Sequence, residues 1–228
     1  MKTRREFLTA TLLGTPLLLT KFNMQNSHND FPNVLIIGDS ISIGYTPFVR
    51  KFLKGKANVY RPMHMDVKPE NCQGTTYGVK HIDRWIKGKQ WDVIHFNFGL
   101  HDIKHVHPVT GKNSKNPEHP HQANLNEYEV NLKEITGKLK STGAKLIFAT
   151  TTPYPDEVNG PLRKPGMHEQ YNEVAVKIMV RNNIAVNDLH AFVMPRMQKL
   201  QRPNNVHFTR KGSKALAKVV AEKITAVL

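Results

Sequence analysis

Apolar residues in this chain gather in short runs, and stretches of helical periodicity lie between them. Residues 33–37 (Asn-Val-Leu-Ile-Ile) form a continuous apolar run that predicts a buried strand. Residues 57–60 predict a weaker strand, 91–96 a third, 144–149 a fourth and 184–186 a short fifth. Runs without polar alternation suit strands covered on both faces, which is the habit of parallel sheets. Helices are expected at 47–53, 75–86, 125–139, 167–180 and 211–228. The third of these carries Leu125, Tyr128, Leu132, Ile135 and Leu139 on one stripe and stops at Thr142-Gly143. The alternation of the two patterns predicts an α/β fold, a three-layer α/β/α sandwich around a five-stranded parallel sheet. Ligands of such sheets sit at the carboxyl ends of the strands. Chemistry is therefore expected in the loops 38–45, 61–74, 97–122, 150–166 and 204–210.

The first residues follow a different pattern. Thr3-Arg4-Arg5-Glu6-Phe7-Leu8 sets paired arginines before an apolar run ending at Leu19. That arrangement reads as a twin-arginine export signal over residues 1–26, with the domain at 27–228. The run is too short for an ordinary membrane span, so no stable span is expected once the signal is removed. The expected destination is the periplasm or the exterior. A single cysteine, Cys72, allows no intrachain disulfide and no Cys-x-x-Cys site, so the folded domain must rely on its core.

The chain of 228 residues has a formal charge of +15, and hydrophobic residues make up 39% of it. This is a globular composition with an excess of cations. The signal segment holds four basic residues and one acid, so about +12 stays with the domain. The cations are spread along the chain without a stripe of interleaved aromatics, which argues against nucleic acid as a partner. A solvated basic face, or an acidic polysaccharide or cell-surface partner, fits the charge better.

Three segments at strand ends carry the candidate chemistry. Gly38-Asp39-Ser40-Ile41-Ser42 follows the first strand. A serine there can expose its hydroxyl, and its N–H at a helix start can stabilise a developing oxyanion. The same residues also suit a plain helix cap. The segment is not a Gly-x-Gly-x-x-Gly or Gly-Lys-Ser/Thr loop, nor a Gly-x-Ser-x-Gly elbow. Asn97-Phe98-Gly99-Leu100-His101-Asp102 follows the third strand and offers donors beside a glycine. Asn204-Asn205-Val206-His207 precedes the last helix and supplies a base for a serine. Arg61, Asn71, Arg163 and Tyr171 lie on or beside strand-end loops, and Arg61 and Arg163 could clamp a carboxylate. His101, His105, His107, His119 and His121 crowd one loop, but no cysteine or well-spaced carboxylate completes a metal site.

Gly38-Asp39-Ser40, a glycine in the 71–75 loop, Gly-x-His-Asp at 99–102 and the His207 segment occur in the order of the SGNH (GDSL-type) hydrolase blocks. The chain resembles that superfamily from about residue 33 onward, particularly a bacterial exported subgroup with Gly-Leu-His-Asp in its third block. The resemblance implies the flavodoxin-like SGNH fold and cofactor-free, metal-free ester hydrolysis. It implies Ser40 as nucleophile and His207 as general base. Oxyanion donors would be the N–H groups of Ser40 and Gly74 (or Gln73), with His101 where the superfamily has asparagine and Asn97 as a substitute. The superfamily's Asp-x-x-His has Asn204 in the aspartate position, so a Ser-His dyad oriented by Asn204 or a backbone carbonyl is expected. Asp39, Asn71, Asp102, Arg61, Arg163 and Tyr171 are the expected substrate-binding residues. The leading substrate is a carbohydrate ester, with removal of an acyl, notably acetyl, group. A lipid or thioester acyl hydrolase and a non-catalytic module binding acidic glycan are the alternatives.

Overall fold

The computed structural model describes Phe31–Leu228. The export pattern and the proposed boundary at residue 26 lie outside the described residues. Five strands form one sheet: β1 (Asn33–Ile37), β2 (Asn58–Tyr60), β5 (Val93–Phe96), β6 (Lys145–Ala149) and β7 (Ala185–Asn187). Their spatial order is β2-β1-β5-β6-β7, and all pairs are parallel. A separate two-stranded hairpin, β3 (Met63–His64) with β4 (Lys68–Pro69), sits in the loop after β2. Its turn holds Met65 and Asp66 at φ of 49° and 55°, the left-handed conformation that tight hairpin turns demand.

Alternation along each strand sends neighbouring side chains to opposite layers. Leu35, Ile37, Ile94, Phe96, Leu146 and Phe148 pack beneath α2 (Thr75–Ile86), α3 (Leu125–Lys140) and α4 (Met167–Arg181). Val34, Ile36, Val93, Ile147 and Ala149 pack beneath α1 (Ser40–Phe52), α5 (Leu189–Val193) and α7 (Arg210–Thr225). Burying one such side chain contributes about 1.5–3 kcal/mol. These two apolar layers make the sandwich that the alternation of runs and helices predicts. A 3₁₀ turn (Met194–Arg196) and α6 (Met197–Leu200) lie between α5 and α7, in a stretch, 187–204, where the sequence pattern predicts no element. Among the described residues, no helix is long and apolar enough to cross a membrane.

One predicted boundary is corrected. The first helix was expected at 47–53, yet α1 begins at Ser40 and includes Pro47. The Asp39 carboxylate accepts from the Ile41 N–H at 2.9 Å and fixes the helix start directly after the strand. Gly44 and Pro47 look like breakers in sequence, but Gly44 lets α1 approach Ser213 of α7 closely. Strand ends are aligned by register, Ile37 with Phe96, Phe96 with Phe148 and Ala149 with Asn187. The loops that follow these strands therefore open onto one edge.

Candidate active site

Ser40 is the first residue of α1, just past the carboxyl end of β1, which lies inside the sheet between β2 and β5. The first N–H groups of a helix have no partner within it. His207 lies on the loop before α7, which is pinned at both sides. Gln201 bridges Phe208, the Arg202 N–H donates to the His207 carbonyl, and Thr209 caps α7 through the Gly212 N–H. Gly212 is needed there, since a Cβ on it would lie 2.1 Å from the Leu200 carbonyl oxygen.

The two side chains meet: Ser40 Oγ is 2.8 Å from His207 Nε2. On the far side of the ring, Nδ1 is 2.8 Å from Asn205 Oδ1, and that same oxygen accepts from the His207 backbone N–H at 2.9 Å. A backbone N–H can only donate, so the amide atom facing the ring is an oxygen. Nδ1 must then carry the proton, which leaves the Nε2 lone pair for the serine hydroxyl. Burial lowers the His207 pKa, opposed by the negative charge of Asp39 and assisted by Arg202 and Arg163. The ring is thus held neutral and able to accept.

The residue orienting His207 is Asn205, which corrects the expectation for Asn204. Asn204 is exposed and left-handed, with φ of 48°, and its carbonyl accepts from the Asn159 N–H. It shapes the turn, and the next residue faces the ring.

Ser40 and His207 line a cavity of about 350 Å³ together with Asn71, His101, Lys104, Arg163 and Asn205. They also line a second cavity of about 230 Å³ with Ile41, Gly44, Arg202 and Phe208. His101 is pushed down to about 3 by burial, with Lys104, Arg163 and His207 acting in the same direction. It is neutral at ordinary pH. Its Nδ1 is sealed without a partner, so Nε2 is the nitrogen that can face the cavity and donate there.

Several expected ligand groups are used by the fold instead. Asn97 Nδ2 donates to the Ala149 carbonyl at 2.7 Å, and the residue borders a different, small cleft. Gly74 does not line the cavity, and Asn71 does. A Cβ at Gly74 would lie 2.8 Å from both Asp102 Oδ1 and Gln122 Nε2, so this glycine makes room for Asp102. The Gln73 N–H donates to Asn71 Oδ1. Asp102 is fully buried and accepts from the Thr75 N–H and hydroxyl at 2.7 and 2.6 Å, capping α2 from another loop. Burial pushes it up to about 7. Asp39 caps α1, and burial raises its pKa too. Arg61 is buried and donates to Ser42, Thr46 and the carbonyls of Gly38 and Glu70. The Tyr171 hydroxyl donates to the Ala123 carbonyl inside the core. Cys72 is buried, its thiol pushed up to about 12 by desolvation, which leaves it inert.

Asn71 and Arg163 do face the cavity. Two residues not singled out in sequence join them, Asn205 and Lys104. Lys104 follows His101 by three positions, and its N–H donates to the His101 carbonyl, so the turn itself brings it to the same wall. On the same sheet edge but outside the cavity, His168, Glu169 and His190 gather possible ligand atoms within 4.8 Å. The two imidazoles there already bond to each other, at 3.2 Å.

A model of the GDSL-like lipase/acylhydrolase family matches residues 36–215, from the first strand into the last helix. The chain belongs to that family. It carries the SGNH hydrolase domain of ester-cleaving enzymes, and the paired Ser40 and His207 sit inside the matched span. Solved structures share the fold at low identity. The acetyl xylan esterase AlAXEase aligns with a TM-score of 0.66 at 15% identity, covering 84% of this chain and 99% of that one. A lipase/acylhydrolase from Enterococcus faecalis aligns with 0.66 at 17%, covering 86% and 96%. A catalytic mutant of Axe2, an acetylxylan esterase from Geobacillus stearothermophilus, aligns with 0.65 at 19%, covering 85% and 94%. No curated protein sequence matches the chain.

Proposed function

We propose that this SGNH hydrolase is an exported carbohydrate esterase that removes small acyl groups, acetyl foremost, from a polysaccharide or oligosaccharide. The observation that carries the reading is the 2.8 Å contact of Ser40 Oγ with a His207 ring whose proton is held on Nδ1 by Asn205. Ser40 Oγ attacks the ester carbonyl carbon while its proton passes to His207 Nε2. The carbonyl oxygen becomes an oxyanion, held by the Ser40 N–H at the start of α1 and by His101. Collapse breaks the bond to the alcohol oxygen, which takes the proton from His207. Water then repeats the sequence, giving up a proton to His207 as it attacks the acyl-serine, and the acid leaves.

Among the described residues, no carboxylate touches the His207 ring. The imidazolium formed in each half-reaction is met by the Asn205 carbonyl dipole and by the charge of Asp39 at longer range. Two cavities flanking one dyad suit a substrate with an acyl part and an alcohol part on either side of the scissile bond. Amides of Asn71, Asn113 and Asn159 at the larger cavity suit a hydroxyl-rich alcohol better than a lipid chain. The paired arginines and apolar run of residues 4–19 support export, and the acetylxylan esterases of the same fold support the acyl group.

The test is acetate release from acetylated oligosaccharides alongside turnover of nitrophenyl acetate, by the wild type and by Ser40→Ala. Turnover of both by the wild type and of neither by the variant is expected. Turnover of nitrophenyl butyrate and longer esters, with acetylated sugars untouched, would turn the assignment to a lipid-type acyl hydrolase.

A further inference from the structure

Lys104 and Arg163 come from different loops, are 8% and 6% exposed, and both line the larger cavity beside Ser40 and His207. Burying a cation is costly unless something pairs with it. Arg163 is anchored by Nε, which donates to the Leu100 carbonyl at 3.0 Å. Among the described residues its terminal nitrogens donate to no protein group, and Lys104 makes no side-chain hydrogen bond. Neither forms an ion pair with a described residue. The described residues of the cavity wall include no acid. Asp39 and Asp102, the carboxylates nearest in charge to this pair, are occupied as helix caps.

A charge pair this exposed to the cavity and this poor in partners is built to receive an anion. We propose that Lys104 and Arg163 form an anion subsite, so that the ester cleaved at Ser40 is borne on a molecule carrying a carboxylate, of the uronic acid type. The planar fork of an arginine held at Nε presents its two outer N–H groups to both oxygens of a carboxylate, and the lysine adds a point charge. A cavity of about 350 Å³ that also offers asparagine amides accommodates a group of sugar size. The proposal rests on the esterase reading for the cleavage step and on the cavity alone for binding.

The experiment compares O-acetylated galacturonate oligomers with the same oligomers after methyl esterification, which removes the charge and keeps the acetyl ester. For the wild type, kcat/KM for acetate release is expected to be at least tenfold higher on the charged form, chiefly through KM. Lys104→Gln and Arg163→Gln are each expected to cut this ratio to about threefold or less, and Arg163→Lys to leave it between the two. Binding of unacetylated galacturonate oligomers to Ser40→Ala, measured by calorimetry, gives a readout independent of chemistry. Binding that is lost in the Ser40→Ala/Lys104→Gln double variant supports the subsite even if the wild type hydrolyses nothing. Rapid hydrolysis of nitrophenyl acetate, with charged and methylated oligomers treated alike and uronate binding absent, would overturn the subsite while leaving the esterase. Inhibition by inorganic sulfate as strong as by galacturonate would overturn the carboxylate assignment. Should Arg163→Gln fail to fold, Lys104→Gln and the matched substrates decide the matter alone.

Discussion

Arg61 and Arg163 are two arginines at one sheet edge, buried to almost the same degree, and they live in opposite circumstances. Four oxygens surround the Arg61 guanidinium and tie β1, α1 and the loop after β2 together. Arg163 has one carbonyl at Nε and then a cavity. The first spends its hydrogen bonds on the protein itself, and the second keeps most of them unspent. Burial alone does not distinguish a staple from a binding group; the count of satisfied donors does. The same contrast runs through the carboxylates and amides, where Asp102 and Asn97 are consumed by the fold while Asn71 and Asn205 face the reaction.

Substitutions on the open side should change rate without stability, and those on the closed side the reverse. The largest effect is expected for Ser40→Ala, a loss of about a thousandfold or more in kcat on nitrophenyl acetate with an unchanged melting temperature. A residual rate within tenfold of wild type would break the assignment of the nucleophile. His101→Ala should cost on the order of a hundredfold in kcat, whereas Asn97→Ala, which loses the bond to Ala149, should show mainly as a lower melting temperature. Similar kinetic losses in both would mean that the oxyanion site is misplaced. Asn205→Ala frees the imidazole to rotate or change tautomer and should lower kcat by roughly ten- to a hundredfold, a share of what general-base catalysis provides. Asn204→Gly, which suits a φ of 48°, should leave kcat nearly intact. Arg61→Met strands four acceptors and should destabilise by about 2–4 kcal/mol in denaturant unfolding, with kcat nearly unchanged once the variant is folded.

The smallest effect concerns pH. A general base works when neutral, so activity falls as pH drops through its pKa. Because burial lowers the His207 pKa, the acid limb of kcat/KM should lie below the ~6.5 of a free imidazole. Asn205→Asp would set a carboxylate against Nδ1, raise that pKa and move the limb upward. A wild-type limb above ~6.5 would contradict the neutral, desolvated ring.

Much of this was legible in the sequence. Residues 33–37 and 75–86 are the elements that their apolar patterns predict, because a strand covered on both faces leaves an unbroken apolar run and an amphipathic helix leaves a helical period. The pairing of Ser40 with His207 could be anticipated from their places at opposite ends of the block order, each beside a helix start. What stayed hidden depends on single dihedral angles and on through-space packing. Which of two adjacent asparagines meets the ring is decided by the left-handed turn at Asn204. Lys104 reads as a surface lysine until the loop after β5 folds over it. Arg61 and Tyr171 have the residue types of ligand-binding groups, and only the position of carbonyls distant in sequence shows them to be already engaged.

The hydroxyl and the imidazole stand 167 positions apart, one opening the first helix and the other just ahead of the last. The apolar layer that unites those two helices forms only when both α1 and α7 have docked. Ester turnover is therefore a reporter of maturation: a chain halted before its final segment could hold all five strands of the sheet in register and still be silent, and the appearance of product marks the moment α7 has docked beside α1.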